Sequence, residues 1–217
     1  GHLRGESAFQ STDEMISIYK ASLAPLIEAN KLSMILVQFP PWFDCAKDNV
    51  DYIKMLRETF VDLPVAIEFR HQSWYEPQYR EKTIEFLTNY EFIHSVCDEP
   101  QAGQGSIPLV PVSTNKNHSL FRLHGRNVNG WRNPGDAHKW REIRYLYEYN
   151  KSELDEIAQV IHNLSTQSKH VTVLFNNNSG GHAAKNAKQL INKLHIQYEG
   201  LNAKQLDIFE GESEWNI

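Results

Sequence analysis

Cysteine is scarce: the chain of 217 residues carries Cys45 and Cys97 and no other. Two thiols far apart, with no Cys-x-x-Cys spacing, exclude a disulfide-stapled small domain, a zinc ribbon and a thioredoxin-type redox pair, and they fit a reducing compartment. Long apolar runs are lacking too. The most apolar stretch, Met34 to Val37, is stopped by Gln38, and the mean hydropathy is −0.53. Nothing approaches the run of about 20 apolar residues that a membrane span requires. The opening residues show no basic segment leading into an apolar core, so export has no support and a cytoplasmic location is expected. Positive charge is also short, 22 Lys+Arg against 27 Asp+Glu for a net charge of −5, which argues against nucleic acid as a partner. There are no heptads, low-complexity tracts or internal sequence repeats. A chain of this length buries roughly two thirds of its unfolded surface without staples.

What is present is a repeat of element type. Five short apolar, β-branched runs read as strands: Ser33–Phe39, Pro64–Phe69, Phe92–Cys97, Ser119–His124 and His170–Phe175. Segments of helical period lie around them: Asp13–Asn30, with Met15, Tyr19, Leu23, Leu26 and Ile27 on one face, then Asp48–Phe60, Tyr79–Asn89, Ser152–Leu164 and His182–Leu194. The first four strands start about 30 residues apart, the length of a βαβ unit, so a parallel sheet covered by helices follows. Even-numbered strand positions turn polar toward each strand's end: Gln38, then Glu68 and Arg70, His94 and Asp98, Arg122 and His124, Thr172 and Asn176. Odd positions stay apolar. That pattern predicts a TIM-type (β/α)8 barrel, whose strands have one side toward a packed lumen and the other toward helices, rather than a doubly wound sheet. Five strands fall short of a full barrel, and the chain opens directly on a helix. The expectation is one barrel domain over residues 1–217 that lacks its first two or three βα units.

Gln38-Phe39-Pro40-Pro41, Glu68-Phe69-Arg70-His71-Gln72-Ser73-Trp74, Arg122-Leu123-His124-Gly125-Arg126, Phe175-Asn176-Asn177-Asn178 with Gly180-Gly181 and Asn186-Ala187, and the tail Gln205-Leu206-Asp207-Ile208-Phe209 together resemble the DUF72 family. This is a bacterial and archaeal family that includes the YecE- and YunF-type proteins. The motifs are long, ordered and spread over nearly all of the chain. The resemblance implies a TIM barrel whose first strands, with a Gly-Trp turn near the start, have no counterpart here. His2-Leu3-Arg4-Gly5-Glu6 looks like the loop after that family's third strand. The resemblance implies no particular reaction.

The polar strand ends supply the candidate site. Glu68 and Arg70 either form a structural ion pair at the barrel mouth or act as an acid/base group and an anion clamp. His71, of opposite parity, reads as a packing residue, and Trp74 as a lid or as core. Arg122 and His124 place a cation and an imidazole beside them, Asp98 joins from the strand between, and Gln38 and Arg126 border the mouth. The segment Arg126 to Tyr149, rich in aromatics including Trp131, reads as a water-excluding lid or as ordinary packing. Asn176 to Gly181 runs into the last helix, and Asn178, Gly180 and Gly181 read either as an anion cradle at a helix N-terminus or as a turn with an N-cap. Glu68, Asp98 and His124 are possible ligands for a divalent metal, but no His-x-x-x-His or Cys pair supports one, so no cofactor is expected. The expected function is acid/base chemistry on a small polar or anionic substrate, phosphorylated or sugar-like. Glu68 and His124 would transfer protons while Arg70 and Arg122 stabilise charge. A non-catalytic metabolite- or protein-binding barrel and a metal-dependent phosphodiester hydrolase are the alternatives. The residues serve hydrolase, isomerase and lyase chemistry alike.

Overall fold

A computed structural model describes residues 9–103, 106–131, 140 and 143–197. The five expected strands form one parallel sheet: β1 (Ile35–Gln38), β2 (Val65–Glu68), β3 (Ile93–Asp98), β4 (His118–Leu123) and β5 (His170–Phe175). They stand in the order β1-β2-β3-β4-β5, each beside its neighbour in sequence. The helices are α1 (Thr12–Glu28), α2 (Lys47–Thr59), α3 (Arg80–Asn89), the short α4 (Val128–Trp131), α5 (Lys151–Ser165) and α6 (His182–Lys193). A monotonic strand order follows from right-handed crossovers that all wind the same way, which lays every crossover helix on one face of the sheet. The sheet is open between β1 and β5.

That helix-covered face carries the core. Ile35, Phe39, Val65, Ile67 and Phe69 pack with Ile53 and Leu56 of α2 and Leu87 of α3, while Phe121 and Leu123 pack with Leu154, Ile157, Ile161 and Leu164 of α5 and Leu190 of α6. Each such side chain contributes roughly 1.5–3 kcal/mol on burial. Local signals place the helices: Ser11 caps α1, and Asn150 and Glu153 form a reciprocal capping box at α5. The opposite, inner face holds a small cluster of Ala66, Ile93 and Leu120 with Met34.

The helices end within a few residues of their expected bounds, but α1 departs from expectation in its packing. Ile16 and Leu23 rest half-buried on the core, whereas Met15, Leu26 and Ile27 stay exposed and Tyr19, also exposed, meets only the edge of Phe60 among the described rings. The second departure is the register of β3. Ala66 pairs with Ile93 and Ile67 with His94, so Ile93, Ser95 and Cys97 share the inner face with Glu68. Cys97 in turn pairs with Arg122 and Asp98 with Leu123. In β3 the inner residues are the odd ones, and His94 and Asp98 lie against the helices.

Candidate functional site

The inner face ends, at the strands' C-termini, in a buried cluster built on Glu68. Its side chain is fully inaccessible, with Oε1 2.5 Å from Arg70 Nη2 and Oε2 2.5 Å from Arg122 Nη1. Ser95 Oγ donates to Oε2 at 3.2 Å, and Arg122 also donates to Gln38 Oε1 at 3.1 Å. Arg70 continues the chain of contacts: Nη1 donates to Glu99 Oε2 at 2.9 Å, and Nη2 lies 3.1 Å from His124 Nε2. Glu99 is held on its other oxygen by the Ile107 N–H at 2.7 Å. A guanidinium can only donate, so His124 Nε2 is an acceptor and the ring proton sits on Nδ1, 3.3 Å from the Asn176 amide. Asn176 stands with Nδ2 toward this nitrogen, and its oxygen meets Nδ1–H once the side-chain amide is flipped.

Burial and charge tune these groups in opposite senses. Burial, reinforced by Arg70, Arg122 and Arg144, holds His124 well below its ordinary range, so the imidazole is neutral near pH 7. Burial pushes the Glu99 carboxyl up to about 7, with Arg70 and the Ile107 amide opposing. Cys97 is a thiol, raised by burial and then by Glu68. Glu68, Cys97 and His124 each offer one ligand atom within 4.8 Å of the others, and they are the residues that would hold a divalent ion. Ion pairs to Arg70 and Arg122 already engage both Glu68 oxygens, so a metal ligated by either oxygen would compete with a guanidinium for it.

Beside the cluster opens a cleft of about 1030 Å³, lined by Val37 to Phe43, by Asp48, Asn49 and Tyr52 of α2, and by Arg70, Trp131, Trp140, Arg144 and Tyr145. The Arg144 guanidinium lies 4.5 Å from the ring centres of both Trp131 and Trp140 and 5.3 Å from that of Tyr145. Among the described residues, the buried Nε atoms of Arg70, Arg122 and Arg144 have no hydrogen-bond partner. An orphaned buried donor of this kind costs about 1–3 kcal/mol unless something else accepts from it.

Of the residues expected at the site, Glu68, Arg70, Arg122, His124, Asn176 and Gln38 come together, and Trp131 borders the cleft. Asp98 does not join them. It accepts from Arg126 Nε at 3.0 Å and from the Tyr149 hydroxyl at 2.7 Å on the helix side, where Arg126 also meets Glu156 at 3.0 Å, so Asp98 and Arg126 brace α5 against the strand ends. Trp74 is core, 1% exposed, stacked on Phe69 at 4.0 Å and donating to the Phe43 carbonyl. Gly180 and Gly181 adopt left-handed φ of 70° and 75°, and the Gly181 N–H turns back to the Asn178 carbonyl at 3.4 Å. No side chain caps α6, and the Glu148 carboxylate beside His182 and Lys185 brings negative charge to that loop. Among the described residues, neither Asn178 nor the two glycines hydrogen-bond to the Glu68 cluster. Ser95, Cys97, Glu99 and Arg144 were not anticipated. The first three sit on or just past β3, whose inner parity was misread, and Arg144 lay in a segment read only for its aromatics. His2–Glu6 and the tail Gln205–Phe209 lie outside the described residues.

The family model for "Protein of unknown function DUF72" matches residues 2–208. The chain belongs to the DUF72 family. The UPF0759 protein YunF of Bacillus subtilis (strain 168) is 50% identical over 209 residues, covering 96% of this chain and 74% of YunF. Among solved structures, the DUF72 protein EF0366 of Enterococcus faecalis V583 superposes with a TM-score of 0.87 at 44% identity, over 94% of this chain and 74% of its own. The DUF72 protein TM1631 of Thermotoga maritima MSB8 follows at 0.74 and 37%, over 83% of this chain and 65% of its own. DUF72 membership thus rests on sequence along nearly the whole chain and on the arrangement of its strands. No helix among the described residues is long and apolar enough to cross a membrane.

Proposed function

We propose that this chain carries the C-terminal face of a (β/α)8-type barrel enzyme that performs acid/base chemistry on a small anionic substrate. The monotonic order with helices on one face supports the barrel, since a flat sheet wound this way would leave its inner face bare. The observation that carries the chemistry is the Glu99–Arg70–Glu68–Arg122 chain, buried at the strand ends and reaching the cleft through Arg70. Arg70 binds the substrate anion and stabilises charge that develops next to it. Glu68 holds Arg70 and Arg122 in place rather than acting as the base, because a guanidinium engages each of its oxygens, whereas Glu99 meets one guanidinium and one neutral backbone N–H. Glu99, with its carboxyl poised near neutrality, is the proton-transfer group, and His124, fixed by Arg70 and Asn176, orients the guanidinium.

The test is a screen of carboxylated and phosphorylated metabolite pools by mass spectrometry. Turnover of the substrate found should rise with pH through about 7 as Glu99 ionises. Glu99→Gln should lower it at least about 100-fold and abolish that inflection. Glu68→Gln should weaken binding and turnover together, since it frees both arginines. Unchanged turnover in a folded Glu99→Gln variant would overturn the assignment. The competing reading is a metabolite-binding barrel without catalysis, favoured by the fact that Glu68, Glu99 and His124 are already engaged within the protein. Saturable binding of an anion with no conversion in any pool would select it.

A further inference from the structure

The cleft is far too large and too aromatic for a bare anion. Its volume of about 1030 Å³ sits at the top of the range of about 300–1000 Å³ typical of sites for drug-sized ligands, whereas a single water takes up about 30 Å³. Arg70 and Arg144 both line it, burial and then the Arg70 charge lower the affinity of Arg144 for its proton, and each keeps a buried Nε–H without an acceptor among the described residues. The Glu68 and Glu99 carboxylates that hold Arg70 lie behind it, whereas Arg144 is held by indole faces.

The rest of the wall is built of rings. Trp42 is the most unusual of them, 71% exposed while its neighbours Phe39 and Phe43 are 5% exposed and stacked at 3.9 Å. An indole left in water contributes nothing to the core, yet Pro40 and Pro41 just before it stiffen the backbone that presents it. Trp131 and Trp140 line it as well, already paired with a guanidinium. Asp48 and Asn49 add one carboxylate and one amide to the lining.

From this arrangement we infer that the ligand is an aromatic anion: a planar ring that lies against Trp42 in the mouth of the cleft, bearing a carboxylate or phosphate that reaches Arg70 and Arg144. The inference rests on the anion site proposed above and adds the body of the substrate to its charged end. A guanidinium takes either anion through two parallel hydrogen bonds, so the wall geometry alone leaves carboxylate and phosphate equal. Ring-on-indole stacking supplies the discrimination against small inorganic anions.

Isothermal titration with simple probes separates the parts. Phenyl phosphate is compared with inorganic phosphate, benzoate with acetate, and benzyl alcohol stands for the ring without charge. At least one aryl anion should bind tenfold or more tighter than its ring-less counterpart and than benzyl alcohol, and the better pair identifies the anion. Trp42→Ala, an exposed position, should erase most of that tenfold gain while leaving the ring-less anion within twofold. Arg144→Met should weaken both members of the pair. Equal affinity for phenyl and inorganic phosphate, and for benzoate and acetate, would overturn the aromatic inference and leave the anion-binding reading intact. Benzyl alcohol binding as tightly as the aryl anions, or no probe binding at millimolar concentration, would overturn both. Loss of turnover in Glu99→Gln with aryl-anion binding preserved would support both.

Discussion

Residue by residue, the protein's polar interior makes its pH response a sum of opposing contributions. His94 is buried, its Nδ1 donating to the Val112 carbonyl and its Nε2 accepting from the Tyr75 hydroxyl, each at 3.0 Å. Burial lowers its pKa from 6.5 to about 4. The unfolded chain therefore binds the extra proton across that window, so this stability is full above pH 6.5 and is lost as pH falls toward 4. Two and a half pH units correspond to about 3 kcal/mol at most. Glu99 runs the other way: with its pKa raised from 4.5 to about 7, the folded chain holds the extra proton, and stability falls as pH rises through that interval. Urea midpoints between pH 4.5 and 7 should show the cancellation. Glu99→Gln should steepen the loss toward acid, and His94→Gln should flatten or reverse it. A Glu99→Gln curve parallel to that of the parent would rule out a raised carboxyl.

The same scale shows what could be read in advance. Glu68, Arg70, Arg122, His124 and Asn176 were legible because they lie on, or directly after, strands whose other parity is apolar. Asp98 was misassigned and Glu99, Ser95 and Cys97 were missed because β3 is buried on both sides, so its alternation vanishes and its polar residues reveal no direction.

At the scale of elements, helix and strand existence followed from hydrophobic period, while packing partners did not. The period of α1 pointed at a face that remains open to solvent, since amphipathicity states that a face seeks cover and not what supplies it. The capping box at α5 was hidden by its position at the end of the aromatic segment. Asn150 accepts from the Glu153 N–H at 3.1 Å and Glu153 accepts from the Asn150 N–H at 2.9 Å. Asn150→Ala should lower unfolding stability by about 1 kcal/mol in urea titration. It should leave anion affinity unchanged, because neither residue touches the Glu68 cluster. The turn after β4 is less forgiving: Gly125 has φ of +83° and an added Cβ would lie 2.6 Å from Tyr147 Cβ, so the backbone there is reserved for glycine.

At the scale of the whole molecule, the sheet formed by the described residues has two edge strands, β1 and β5, and an inner face whose margins are wet. Leu36 on β1 is 37% exposed and Leu174 on β5 is 42% exposed. Unpaired edges flanked by apolar side chains invite association. Sedimentation velocity on the 217-residue chain should show concentration-dependent self-association that the pair Leu36→Lys and Leu174→Lys reduces. Equal behaviour of parent and variant would mean that these margins are not the adhesive surface.

The strand order has one more effect, on how the molecule is made. Strands open at Ile35, Val65, Ile93, His118 and His170, and each pairs with the one before it. Every pairing except the last closes a loop of about 25–30 residues, and loop-closure entropy grows only slowly with length. A chain emerging from the ribosome can add β2 to β1 and then β3 to β2 as each crossover helix clears the exit. Among the described strands, each finds its partner already made. The longest interval falls before β5, so the contact of Asn176 with His124 is the last of the described strand-end contacts to be completed during synthesis.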